Sequence, residues 1–126
     1  MCIKIRIYIF YFWIMTLYRS SSGNFDQFWN RLETILNVLH SPKPEFVICG
    51  DINVNYLNDN GKQNLDPLLL SYNLSGTVHF PTRVQNNYSS AIDNIYIDKP
   101  KLENYSVKPL INGLSDHEDQ LIDKWY

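Results

Sequence analysis

The sequence has few cysteines, little net charge and no long apolar run, and each scarcity narrows the class of protein. Its two cysteines, Cys2 and Cys49, are too few for a disulfide framework. The formal net charge of −2 provides no bulk attraction for nucleic acid, so any such site must be a local patch. A length of 126 residues sets one domain as the ceiling, and we find no internal repeat or low-complexity tract.

The apolar stretch at residues 7–18 is shorter than the about 18 apolar residues that indicate a membrane span. Lys4 and Arg6 precede it, which resembles the start of a signal peptide, but no Ala-x-Ala cleavage pattern follows. Its β-branched and aromatic content favours a strand. We therefore treat residues 1–16 as an apolar N-terminal segment that forms a strand, with a signal segment as the alternative.

The segment from Phe46 to Asn55 organises the rest of the chain. Its first four residues are apolar and β-branched at two positions, which predicts a strand buried on both faces. Because strand side chains alternate, we expect Asp51 and Asn53 to share a face at the end of this strand. A carboxylate beside an amide can hold a phosphate, a water or a hydrated metal. The alternative is that both residues form a turn by bonding their own backbone.

The remaining pattern predicts a mixed α/β domain. Asn24 is a suitable N-cap for a helix whose apolar stripe runs to Leu39, before the prolines at 42 and 44. Further along we predict a loop at 58–62, a short helix at 65–72 with Pro67 in its first turn, a weak strand at 77–80, a polar loop at 85–90, and strands at 91–97 and 105–110.

Polar residues cluster at these predicted strand ends and loops. The clusters are Asp51 with Asn53, Thr82 with Arg83, Asp93 alone, and Asp116 with His117. Asp93 shares its strand face with apolar residues, where an unpaired carboxylate costs several kcal/mol. His117 is the candidate donor that would satisfy it. The alternative is that Asp93 caps a turn and His117 is a solvated loop residue.

Five short motifs occur in the order and at the spacing of one family. They are Tyr18-Arg19-Ser20, Gly50-Asp51-Ile52-Asn53, Pro81-Thr82-Arg83, Ser90-Ala91-Ile92-Asp93-Asn94-Ile95 and Ser115-Asp116-His117. In these motifs the chain resembles the apurinic-type endonuclease domain of non-LTR retrotransposons, within the endonuclease/exonuclease/phosphatase superfamily. The resemblance covers about residues 17–121, and we assign residues 17–126 to one partial domain. It implies a two-sheet α/β sandwich with flanking helices.

The resemblance further implies Mg²⁺-dependent hydrolysis of a DNA phosphodiester, leaving a 3′-hydroxyl that can prime reverse transcription. Tyr18 would bond the scissile phosphate, Asp51 would orient or deprotonate the attacking water, and Asn53 would hold Asp51 and a phosphate oxygen. The other expected roles are a pairing of Asp93 with His117, a phosphate contact by His117, a metal contact by Asp116 through water, and substrate contacts by Thr82 and Arg83.

Full members of this family are much longer, and their N-terminal half supplies an Asn and the Glu that ligates the metal. Neither has a counterpart before Tyr18, so we expect only the C-terminal half, inactive alone, with Glu118 and Asp119 as the nearest substitute acids. By resemblance the protein would be nuclear or cytoplasmic, without a lipid partner, and its uncovered sheet would favour self-association. The alternatives are an inert remnant or interaction fragment, and a small secreted or membrane-attached protein.

Overall fold

The computed structural model describes residues 12–39 and 45–125. Its strands are β1 (Phe12–Tyr18), β2 (Glu45–Asp51), β3 (Leu74–Gly76), β4 (Arg83–Gln85), β5 (Tyr88–Ser90), β6 (Asp93–Asp98), β7 (Tyr105–Leu110) and β8 (Asp119–Lys124). The helices are α1 (Phe25–Leu39) and α2 (Asp59–Ser71), and a 3₁₀ helix spans Lys99–Asn104. The expected mixed α/β class is confirmed.

A four-stranded sheet with the order β1-β2-β6-β3 forms the centre of the described fold. β1 runs parallel to β2, whereas β6 runs antiparallel to both β2 and β3. In this register Tyr18 lies opposite Asp51, and Asp51 lies opposite Asp93. Three residues that the sequence singled out therefore stand side by side across three strands, at one end of the sheet.

Both faces of this sheet are covered over its central strands, β2 and β6. Successive residues of β2 point to opposite faces, so Ile48 packs beneath the two helices and Val47 packs beneath the β7–β8 pair. Burying an aliphatic side chain of this size contributes roughly 1.5–3 kcal/mol. The result is two sheets face to face with helices outside, as the resemblance implied.

The start of α1 agrees with the sequence-based prediction, whereas the start of α2 does not. Asn24 caps α1 as predicted, because its Oδ1 accepts a hydrogen bond from the Gln27 backbone N–H at 3.0 Å. α2 begins at Asp59, so the loop predicted at 58–62 is wrong and Pro67 lies in the helix interior. The N–H that proline lacks would have bonded the carbonyl of Gln63, an exposed residue where water can replace it.

Two predictions between α2 and β6 are also wrong. The strand expected at 77–80 lies earlier, as β3, because the Val78 N–H turns away from the sheet to the side-chain oxygen of Asn94 at 3.0 Å. The loop expected at 85–90 is a β4–β5 hairpin. Its turn is Asn86-Asn87, with φ values of 47° and 65°, the left-handed pair that a two-residue hairpin turn requires.

At the N-terminal side, β1 accounts for the strand predicted in the apolar run, starting at Phe12. It runs across the boundary placed between residues 16 and 17 and pairs with β2 over its whole length. The predictions for residues 1–11 lie outside the described residues. Within residues 12–39 and 45–125, no helix has both the length and the apolar character needed to cross a membrane.

Candidate active site

Three segments from distant parts of the chain meet at one end of the sheet. They are the end of β2 with Asp51, the start of β6 with Asp93, and the connection between β7 and β8 with His117. The third segment, which carries His117, is held by backbone bonding to the start of β4. There the Val84 N–H donates to the Asp116 carbonyl at 2.9 Å, and the Glu118 N–H donates to the Thr82 carbonyl at 2.7 Å. This bonding holds His117, which lies in the β7–β8 connection, beside the carboxylates of Asp51 and Asp93.

The side chains of Asp93 and His117 form a hydrogen-bonded pair. The Nδ1 atom of His117 lies 3.0 Å from Oδ2 of Asp93, and both side chains are half-buried. The pairing predicted from the sequence is confirmed by this distance. Because Nδ1 is occupied by the carboxylate, Nε2 is the ring nitrogen available to a substrate.

Thr82 lies behind this pair and not on the surface. Its side chain is 0% exposed, and its Oγ1 donates to Oδ2 of Asp93 at 2.8 Å. The same oxygen accepts the backbone N–H groups of Ile92 and Asp93, each at 3.1 Å. A fully buried hydroxyl cannot touch a substrate, so the substrate contact expected of Thr82 is replaced by a position that fixes the Asp93 carboxylate.

The backbone N–H of Asn53 donates a hydrogen bond to Oδ1 of Asp51, with 3.0 Å between the nitrogen and the oxygen. The expectation that both side chains share a strand face is wrong, because β2 ends at Asp51 and Asn53 adopts a left-handed φ of 51°. The Asn53 side chain instead donates to the Arg19 carbonyl at 2.7 Å. Burial, with the nearby Asp93 charge, raises the pKa of Asp51 above its ordinary value, against the opposing Asn53 hydrogen bond.

Arg19 supports the segment that follows β2, a role that the sequence did not indicate. Its Nε donates to the Ile52 carbonyl and one terminal nitrogen donates to the Asn53 carbonyl, both at 2.8 Å. The guanidinium also lies over the Phe25 ring, 5.3 Å from its centroid. The signal was the position of Arg19 inside the Tyr18-Arg19-Ser20 motif, but backbone carbonyl partners leave no trace in a sequence.

Arg83 and Asp116 form an ion pair at the rim, with Nε of Arg83 2.7 Å from Oδ2 of Asp116. The hydrogen bond from Arg83 lowers the pKa of the Asp116 carboxyl, and the same bond raises the pKa of the arginine. Tyr18, beside Asp51 across the β1–β2 register, is 73% exposed. These three residues thus form the outer, solvent-facing part of the site.

Asp51, Asp93 and His117 form a group that could hold a metal ion, since their candidate ligand atoms all lie within 4.8 Å of one another. Asp116, expected from the resemblance to lie near the metal, is not in this group. Glu118 and Asp119, the acids expected to replace the missing metal-binding Glu, are both hydrogen-bonded to Asn112. Glu118 accepts a hydrogen bond from the Asn112 backbone N–H at 3.2 Å, and Asp119 accepts one from the Asn112 side-chain amide at 2.7 Å.

The fold and its acidic sheet end define an α/β domain of the endonuclease/exonuclease/phosphatase superfamily. Residues 12–120 match the family model described as endonuclease-reverse transcriptase, and the chain belongs to that family.

Among solved structures, the endonuclease domain of TRAS1, a telomere-specific non-LTR retrotransposon, matches with a TM-score of 0.67 and 16% sequence identity. The match covers 86% of this chain and 53% of that one, so the chain spans about half the length of the relative. At this identity the likeness establishes the fold alone. No curated protein matches the chain.

Proposed function

We propose that this chain is the C-terminal half of a Mg²⁺-dependent DNA endonuclease domain of the apurinic type, from a retrotransposon-derived protein, and that it is inactive alone. The observation that carries the proposal is the Asp93–His117 hydrogen bond, 3.0 Å long, with Asp51 in the same group. The nuclease family supports a nucleic-acid substrate, and the description of the TRAS1 relative supports the retrotransposon origin.

Asp51 is the proposed group that orients or deprotonates the attacking water. A general base works best when its pKa lies near the operating pH, and burial moves the pKa of Asp51 in that direction. The Asn53 N–H fixes one carboxylate oxygen, which leaves the other to face a water. This function needs only the backbone of Asn53, whereas its side chain holds the β1 end of the site.

His117 is the proposed donor to the phosphate. With Nδ1 on Asp93, which orients the ring, its Nε2 can bond a non-bridging phosphate oxygen. Thr82 acts one step behind, as a positioning residue for Asp93. Tyr18, which is 73% exposed, is the proposed hydroxyl donor to the same phosphate, and Arg83, paired with Asp116, is the proposed contact to the DNA backbone.

The donor set at this sheet end fits Mg²⁺, which prefers carboxylate oxygens and retains several waters. Asp51, Asp93 and His117 offer candidate ligand atoms within 4.8 Å of one another, and Asp116 would act through water, since Arg83 already engages one of its oxygens at 2.7 Å. When bound, Mg²⁺ would neutralise charge developing on the phosphate. Within the described part of the chain the group contains no glutamate, and this supports the proposed inactivity of the chain alone.

The test is nicking of supercoiled plasmid with Mg²⁺, alongside DNA binding by fluorescence anisotropy. We compare the parent chain with Asp51→Ala and His117→Ala, using His79→Ala as the matched control because His79 is an exposed histidine outside the group. We expect no nicking above background and DNA binding that weakens on loss of His117 but not of His79.

Nicking by the parent that Asp51→Ala and His117→Ala abolish would overturn the proposed inactivity and keep the site. Absence of both nicking and DNA binding would favour an inert remnant or an interaction fragment.

We also propose that the chain self-associates through β1. Within the described residues β1 is an edge strand, and Trp13 and Ile14 on it are exposed. Light scattering after size exclusion should show species larger than a monomer. Ile14→Lys should reduce the amount of these species, whereas Val38→Lys, at an exposed position on α1, should leave it unchanged. A parent that elutes as a monodisperse monomer would contradict this proposal.

A further inference from the structure

The charged group of Arg19 is bonded to the backbone beside the candidate site. Its guanidinium donates to the carbonyls of Ile52 and Asn53, both at 2.8 Å. A third bond runs to the Gly23 carbonyl at 3.1 Å. In the part of the chain that the structure describes, no carboxylate forms an ion pair with this arginine. A half-buried cation is stable there because its N–H groups are satisfied, so these carbonyls define where the guanidinium lies.

The bonding between Arg19 and the end of β2 runs in both directions. The backbone N–H of Arg19 donates to the Asp51 carbonyl at 2.9 Å, just beyond the paired part of β1. The Asn53 side chain donates back to the Arg19 carbonyl at 2.7 Å. With the guanidinium bonds to Ile52 and Asn53, four hydrogen bonds join this one residue to the three residues at the end of β2.

Asn53 is the residue whose conformation needs this support. Its φ of 51° is left-handed, a conformation that costs free energy for a residue with a side chain and persists where its surroundings hold it. In this conformation its N–H donates to Oδ1 of Asp51 at 3.0 Å. A carboxylate with one oxygen bonded in this way cannot rotate freely, so the direction of its second oxygen is also set.

Two simpler explanations of Arg19 fit these contacts less well. A contact with a DNA phosphate would need a guanidinium that is open to solvent, whereas each of its three nitrogens already has a carbonyl acceptor. A tie that only joins β1 to β2 would add little, because the two strands already pair over the whole of β1. The guanidinium instead bonds the two residues that follow β2, where the chain turns after Asp51.

We propose that Arg19 is a positioning residue for Asp51, acting through the fork of its guanidinium. The fork holds Asn53 in the left-handed conformation, the Asn53 N–H fixes one oxygen of the Asp51 carboxylate, and the other oxygen is left in a set direction. The role of Asp51 toward metal or water rests on the proposed function, whereas the restraint on Asn53 can be measured without it. Arg19 itself touches no reacting atom.

Amide hydrogen exchange of the full chain, followed by NMR, measures the restraint without any ligand. In Arg19→Ala the Asn53 N–H should exchange about tenfold faster than in the parent, as expected for the loss of one hydrogen bond to a charged group. The Tyr56 N–H, which donates to the Ala91 carbonyl at 2.9 Å, is the internal reference because Arg19 does not bond either residue. Arg31→Ala, at an exposed position on α1, is the matched control and should leave both rates unchanged.

Arg19→Lys separates the shape of the guanidinium from its charge, and it keeps the aliphatic stem if Arg19→Ala does not fold. One ammonium group cannot take the places of three guanidinium nitrogens, so Asn53 should exchange nearly as fast as in the alanine variant. Exchange at the parental rate in either variant would overturn the proposal. An equal rise at Asn53 and Tyr56 would also overturn it, because Arg19 would then stabilise the whole fold and not this turn.

Binding of Mn²⁺ connects the restraint to the site. This paramagnetic ion should broaden the NMR signals of Asp51, Asp93 and His117 in the parent. Its affinity should fall about tenfold in Arg19→Ala, as is typical when a residue that orients a metal ligand is lost. Unchanged Mn²⁺ affinity together with faster exchange at Asn53 would overturn the positioning role. If the parent binds no Mn²⁺, the metal part of the proposed function is wrong, and the exchange rates alone decide whether Arg19 holds the turn.

Discussion

Replacing Thr82 with valine removes one oxygen and keeps the shape of the side chain. The hydroxyl makes three hydrogen bonds, one to the Asp93 carboxylate and two from backbone N–H groups. A net contribution of about 1 kcal/mol per bond gives a loss of about 3 kcal/mol in the free energy of unfolding. The side chain is fully buried, so water cannot replace the lost partner. This loss is a large part of the free energy of unfolding of a typical domain, which is about 5–15 kcal/mol.

Urea unfolding followed by circular dichroism measures this loss directly. Thr34→Val is the matched control, because the Thr34 hydroxyl bonds only the Asn30 carbonyl on the exposed side of α1. We expect that control to stay within about 0.5 kcal/mol of the parent. Thr82→Ser, which keeps the hydroxyl, should recover much of the loss. A Thr82→Val variant as stable as the Thr34 control would refute the positioning role.

Two further predictions concern the backbone at β2 and the titration of its last residue. Gly50→Ala should prevent stable folding, because an added Cβ would lie 1.9 Å from the Leu17 carbonyl oxygen at a φ of +147°. Gly113→Ala, at a φ of +66° with open space around it, should cost only about 1–2 kcal/mol in the same urea assay. Asp51, whose pKa burial raises above 3.8, stabilises the fold below that pH and loses this contribution as pH rises through its folded pKa. The difference in stability between the parent and Asp51→Asn should therefore shift against the parent as pH rises from about 3 to 7, and a pH-independent difference would contradict the burial of Asp51.

The sequence predicted the parts of the site that depend on strand pattern. The apolar run before Asp51 predicted a strand end, and the position of Asp93 on the apolar face of the strand predicted at 91–97 predicted a half-buried carboxylate that needs a donor. Both follow from alternation and from the cost of burying charge. The Asp93–His117 distance of 3.0 Å agrees with that reasoning.

The parts that the sequence did not predict depend on loop backbone. The left-handed conformation of Asn53 moves its side chain off the β2 face, and the Asn86-Asn87 turn makes a hairpin where polar composition predicted a loop. The buried place of Thr82 follows from its bonds to Ile92 and Asp93, ten and eleven residues away. Polar residue types are compatible with both a loop and a bonded structure, so composition alone could not distinguish them.

Two attachments, both of which involve Thr82, hold His117 at the sheet end. One runs through side chains, from Thr82 to Asp93 to the imidazole, and the other through the backbone, where the residues on either side of His117 bond Val84 and Thr82. If both act on the same ring position, removing one loosens the imidazole without releasing it. A variant that lacks both attachments should then lose more stability than the sum of the losses in the two single variants, as for residues within one network. Geometry at this site therefore depends on the β4–β5 hairpin as much as on the central sheet.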